Sequence, residues 1–189
     1  MMRKSLFVLA ALAATSAQAV EVPPAMSSYI EGDLKAWIND AGIVAAIMSQ
    51  NAQTAGLSES EIINRDNTWR AEVGSANTPT IDGVLNAPVS AFLSDQVSAS
   101  GGRITEVFVM DQVGLNVAAS GVTSDYWQGD EAKFLETYPK GAGAVFVDEV
   151  ELDESTQTYQ GQVSFSIMDP ASGAVIGAIT VGLNANAFF

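Results

Sequence analysis

The chain contains no cysteine and no histidine. The first absence removes disulfides and thiol nucleophiles, so stability rests on packing alone. The second removes the usual general base near neutral pH and, together with cysteine, the commonest zinc ligands. Ser-His and Cys-His nucleophilic pairs are thereby excluded. Basic residues are scarce as well: 8 Lys and Arg stand against 22 Asp and Glu, a formal net charge of −14. That balance opposes nucleic acid and anionic membrane surfaces, whose binding needs clustered Lys and Arg. No apolar run reaches the roughly 20 residues that a membrane-spanning helix requires.

What is present begins with a leader pattern. Arg3 and Lys4 precede an apolar run over residues 6–14, and Ala17-Gln18-Ala19 is a small-x-small cleavage site. These are the parts of a secretory signal peptide. The expectation is export to the periplasm, cleavage after Ala19, and a mature chain from Val20 without a membrane anchor. Two of the 8 basic residues fall in the leader, which leaves six against 22 acidic ones and a formal charge of −16. The remaining residues 20–189 suit one domain with one core.

Helical spacing dominates the first third of the mature part. Ile30, Leu34, Trp37, Ala41, Val44 and Met48 step by four and three behind a capping-box pattern at Ser28 and Glu31, which predicts one long amphipathic helix. Ser58 and Glu61 repeat the cap ahead of Ile62, Ile63, Trp69 and Val73, with Gly74 as a stop, which predicts a second helix. Residues 77–83 read as a loop, and residues 84–97 as a third helix with Pro88 in its first turn. From Arg103 the pattern turns extended. Residues 104–110 and 115–120 flank a turn at 111–114 and predict a hairpin. Residues 125–138 form a helical or irregular interruption. Strand candidates follow at 144–152, 159–168 and 174–183. Short connections make neighbouring strands antiparallel, and helices gathered before the strands indicate an α+β domain with a five-stranded antiparallel sheet.

Two stretches carry a family resemblance. Asp111 and Gly114 in a hairpin turn lead into the small-residue strand Ala118-Ala119-Ser120, and the last two strands meet in IMDPASGAVIGAITVGLN, residues 167–184. In this order the motifs resemble the Cache domain, an extracytoplasmic PAS-like sensor module, over residues 27–186. The resemblance implies a five-stranded sheet in PAS-like order, a long N-terminal helix on one face with additional helices, and a small-ligand pocket on the other face. That pocket would lie beneath the segment between the second and third strands, here residues 123–134. Family ligands are amines, amino acids and carboxylates. Most members are ectodomains of membrane-bound kinases or chemoreceptors, so this chain would pass occupancy to a separate partner such as a membrane-bound receptor, or pair with itself through the long helix as a homodimer.

Candidate site residues follow from chemistry. Asp125, Tyr126, Trp127 and Asp130 set aromatic faces beside carboxylates, a mixture suited to an amine through charge pairing and cation–π attraction. The same residues could equally close the sheet face, with Asp125 as a helix cap. A carboxylate ligand would need Lys133, Lys140 or Arg103. Gln162 and Ser164 belong to a polar row, Gln160 to Ser166, that alternates with Gly161, Val163, Phe165 and Ile167. That row faces either water or the ligand. Gly177 and Gly182 suggest close backbone approach. Asp148, Glu149, Glu151, Asp153 and Glu154 invite a calcium site, but without calcium-loop spacing they read as a solvated strand edge. No cofactor is implied. The reading is a non-enzymatic, periplasmic, small-ligand-binding sensor domain. An exported interaction or structural module is the alternative, and a carboxylate-based hydrolase a third reading.

Overall fold

The computed structural model describes residues 22–153 and 158–189. The leader at 1–19 and Glu154 of the acidic run lie outside the described residues. Helices come first: α1 (Pro24–Tyr29), α2 (Ala41–Thr54), α3 (Glu59–Glu72), α4 (Pro79–Leu85) and α5 (Pro88–Ala99). Then come β1 (Ile104–Met110), β2 (Asn116–Ala119), the short α6 (Ala132–Leu135), β3 (Val145–Val147), β4 (Glu151–Asp153), β5 (Thr158–Met168) and β6 (Val175–Asn184).

All strand pairs are antiparallel, in the order β2-β1-β6-β5-β3, with β4 also paired to β5. The third expected strand, 144–152, is thus broken into β3 and β4, which share one position at the edge. Five positions in this order make the α+β, PAS-like sheet anticipated for a Cache-type fold. Alternation divides its faces. Val107 and Val109, Ile179 and Val181, and Val163 and Phe165 pack against Ile43 and Ile47 of α2, Leu93 of α5 and Met26 of α1. Phe108, Met110 and Ala178 point the other way, into a second core with Ile62 and Trp69 of α3, Ile81 and Val84 of α4, Tyr126 and Phe134.

Four local expectations are corrected. The single long helix is two. α1 widens into a π turn at Ile30–Leu34, and a new helix starts at Asp40, whose carboxylate accepts from Gly42 N at 2.7 Å. Ser28 is therefore not a cap; its hydroxyl donates to the Pro24 carbonyl. Met48, expected in the core, is 47% exposed. The reading of residues 77–83 as a loop also fails, because α4 begins at Pro79. Its free N–H groups are met from a distance: the buried Glu72 carboxylate accepts from Thr80 N at 2.8 Å, Ile81 N at 3.0 Å and the Thr80 hydroxyl at 2.7 Å. The second capping box is present as read, with Ser58 and Glu61 bonded reciprocally at the start of α3.

The Glu72 bonds have a pH consequence. Burial raises its pKa, but the N–H of Ile81 and the hydroxyl and N–H of Thr80 outweigh this and hold it below its ordinary 4.5. A carboxylate depressed on folding contributes stability that is present above the unfolded pKa and is lost as pH falls through the folded one. Glu72→Gln should therefore melt below wild type at neutral pH, and the gap should close as the pH drops below about 4.5. Parallel thermal melts across that range check it.

Candidate functional site

The second face of the sheet is laid out in three rows by the register. Glu106, Gly182 and Gln162 form one; Phe108, Thr180 and Ser164 the next; Met110, Ala178 and Ser166 the third. The middle strand carries only small side chains along this face. A Cβ on Gly182 would lie 2.7 Å from Glu106 Cγ and 2.6 Å from Thr105 Oγ1, so the glycine lets the Glu106 side chain lie across the strand. There Gln162 Nε2 donates to Glu106 Oε1 at 3.0 Å. In the next row the Ser164 and Thr180 hydroxyls are 2.9 Å apart and fully buried. The polar row of β5 therefore faces the second layer and its cover, with Ser164 fully buried and Gln160, Gln162 and Ser166 half-buried.

The cover is α6 with the 3₁₀ turn Tyr138–Lys140, both seated on β5. Phe134 anchors it from below and stacks on Tyr138 at 5.1 Å. The Thr137 hydroxyl is buried and donates to the Lys133 and Phe134 carbonyls. Lys133 places its ammonium 5.3 Å from the Phe108 ring centroid. The ammonium is also 2.9 Å from Glu131 Oε2 and donates to Gln128 Oε1 at 3.4 Å. Its side chain is only 15% exposed, so a cation stands at the end of the Phe108–Thr180–Ser164 row.

The remaining expected site residues sit elsewhere, at the start of this cover, on a patch of α3. Asp66 Oδ1 accepts from Tyr126 N at 2.9 Å and Trp127 N at 3.0 Å. Arg70 bridges Asp66 at 2.6 Å and Asp125 at 2.8 Å. The hydrogen bond to Asp66, then the charges of Asp66, Asp125 and Asp130, raise the guanidinium pKa. Tyr126 stacks on Trp69 at 5.3 Å with 12° between planes. Burial, then the nearby Asp111 charge, pushes its hydroxyl pKa up. The Trp127 indole donates to the Val113 carbonyl at 2.8 Å. Asp130 is exposed. So Asp125, Tyr126 and Trp127 are joined to α3 and the β1–β2 turn, while Lys133, Gln162 and Ser164 gather at the sheet. Gln128, 2% exposed, links the two groups through the Asp125 carbonyl and Lys133.

Sequence reading missed Asp66, Trp69 and Arg70, which lie about 60 residues before their partners; their spacing of three and four on one helix face was the available signal. It also missed Glu106, whose alternation with Phe108 and Met110 places it on this face. Lys140 pairs with Glu136, and Arg103 lies over Tyr29, away from the cover. Asp148 and Glu149 are exposed. Among the described residues no three acidic side chains come together to hold a metal ion, and no helix is long and apolar enough to cross a membrane.

No protein-family model matches the chain, and no curated protein does. Among solved structures it is similar to the sensor domain of the V. cholerae histidine kinase DctB, at 15% identity and TM-score 0.40, over 85% of this chain and 57% of that one. It is similar to the sensory domain of the Campylobacter jejuni chemoreceptor Tlp3 with isoleucine bound, at 13% identity and TM-score 0.40, over 86% and 63%. A third is the ligand-binding domain of the Pseudomonas aeruginosa amino acid chemoreceptor PctC in complex with GABA, at 13% identity and TM-score 0.41, over 85% and 56%. The chain thus spans less than two-thirds of each of these structures.

Proposed function

We propose that this chain is an exported, non-enzymatic ligand-binding domain of the sensor type, which reports occupancy to a separate partner such as a membrane-bound receptor. The observation that carries the reading is the polar floor on one sheet face, the half-buried Glu106–Gln162 pair and the fully buried Ser164–Thr180 pair, beside a short cover that brings in Lys133. Such a floor offers neutral hydrogen-bonding groups flanked by the Glu106 carboxylate and by the Lys133 ammonium, which is paired with Glu131 at 2.9 Å, a mixture suited to a small polar ligand. A carboxylate would take Lys133, an amine Glu106, and an amino acid both. The carboxylates Asp66 and Asp125 are bridged by Arg70, which suits an anchor for the cover and not an acid–base pair.

The test is a thermal-shift screen of amines, amino acids and organic acids, followed by Lys133→Met and Glu106→Gln. A ligand at about a hundred times its Kd stabilises by about 2.7 kcal/mol, which raises Tm by roughly 5–10 °C for a chain of this size. Loss of that shift in Lys133→Met alone marks an acid, in Glu106→Gln alone an amine, and in both an amino acid. A shift that survives both substitutions removes this floor from consideration. The second reading, an interaction module without a ligand, is favoured by one fact: Ser164 and Thr180 already satisfy each other at 2.9 Å. A broad library with no hit would select it.

A further inference from the structure

The edge of the sheet at β3 has no strand beyond it among the described residues. Ser166 N donates to the Ala144 carbonyl at 3.0 Å and Asp148 N to the Gln162 carbonyl at 2.8 Å, and Phe146 stands opposite Ser164 between them. In an antiparallel ladder, alternate residues turn their backbone groups to opposite sides. The N–H and C=O groups of Val145 and Val147 therefore point away from β5, outward. Both side chains are exposed, at 41% and 40%. Residues 141–147 contain neither a charge nor a proline. Of the usual devices that block strand addition, the described residues show short length, three residues in β3, but no charge or proline on the strand.

The surroundings define what would pair there. Val145 and Val147 lie opposite Phe165 and Val163, so they extend the apolar face of the main core beyond its helices. Beside them is a cavity of about 320 Å³ lined by Ile38, Ala144, Val145, Phe165, Ile167 and Met168, among others. Immediately after β3 come Asp148 and Glu149, both exposed and, among the described residues, in no ion pair. We propose that β3 takes up an extended segment of a partner protein as an added strand. Alternate apolar side chains of that segment enter the cavity, and basic residues at one end meet Asp148 and Glu149. Strand addition supplies affinity through backbone hydrogen bonds and specificity through alternate side chains. A second copy of this chain fits less well, because it brings a formal charge of −14 and no basic residue within 141–149.

The probe is a synthetic peptide of alternating valine and threonine with two lysines at one end, compared with its twin carrying glutamates. Amide NMR on the full mature chain reads binding. The lysine peptide should shift and protect the amides of Val145 and Val147, and the glutamate twin should bind about tenfold more weakly. Val145→Pro removes an outward N–H without removing a β3–β5 ladder bond, replaces the Val145 side chain by a ring, and should weaken binding about tenfold. If that variant melts below wild type, Val147→Asp tests the same edge without touching the β3–β5 ladder. No response of these amides at millimolar peptide overturns the proposal. So do equal binding of the twin, undiminished binding by both variants, or a dimer in sedimentation that Val147→Asp dissolves.

Discussion

Asp111→Ala should destabilise the fold by about 3–5 kcal/mol and lower Tm by roughly 10 °C. Asp111 is fully buried in the β1–β2 turn and its carboxylate accepts four hydrogen bonds. Oδ1 takes the N–H groups of Val113 and Leu115, each at 2.9 Å. Oδ2 takes Gln50 Nε2 at 3.1 Å and the Thr54 hydroxyl at 2.9 Å, both from α2. One side chain therefore shapes the hairpin and locks the main helix to it. Truncation leaves the Val113 and Leu115 N–H groups without their acceptor and cuts the tie to α2, where Thr54 keeps only the Gln50 carbonyl and Gln50 the Leu115 and Asn116 carbonyls, which costs more than the average bond is worth. Urea titration gives the loss directly. Thr54→Val should cost far less, and less still in the Asp111→Ala background, since the two share a bond. The turn itself needs Gly114: it has φ +86°, and a Cβ there would come within 2.4 Å of Gly129 Cα.

Trp69→Ala should cost about 3–5 kcal/mol. The indole is fully buried, stacks on Tyr126 at 5.3 Å, and donates from Nε1 to the Thr123 carbonyl at 2.8 Å. Its removal opens a cavity under the start of the cover and frees the segment that leads to Lys133. Trp69→Phe keeps the stacking but leaves the Thr123 carbonyl without that donor, for about 1–2 kcal/mol. Urea unfolding ranks the two. Because Tyr126 and Trp127 are held by Asp66 and Trp69, Trp69→Ala should weaken ligand response as well as stability, whereas Asp111→Ala acts through α2 and the hairpin.

Where the determinants are local, the chain is legible from its sequence. The capping box at Ser58 and Glu61 spans four residues, and α3 starts where it says. The alternation of Val163, Phe165 and Ile167 with Gln162, Ser164 and Ser166 gives both the strand and its two faces. Where the determinant is distant, reading fails. α4 depends on the Glu72 carboxylate, eight residues before Thr80. The period of three and four holds for Ile30 and Leu34 but fails past the break at Asp40, where α2 buries Ile43, Val44 and Ile47 in the same core and leaves Ala41 and Met48 exposed. The site divides in the same way. Lys133, Gln162 and Ser164 are brought to one face by strand alternation and a short cover. The aromatic pair at 126 and 127 meets partners on α3 that no local pattern ties to it, and becomes an anchor.

The most direct test of the ligand floor is amide chemical-shift mapping of the strongest ligand found in the thermal screen. The account predicts the largest shifts at Gln162, Ser164, Thr180 and residues 128–138, with little change at Tyr29 or along α2. Shifts centred away from the sheet, with Ser164 and Thr180 unmoved, would contradict it.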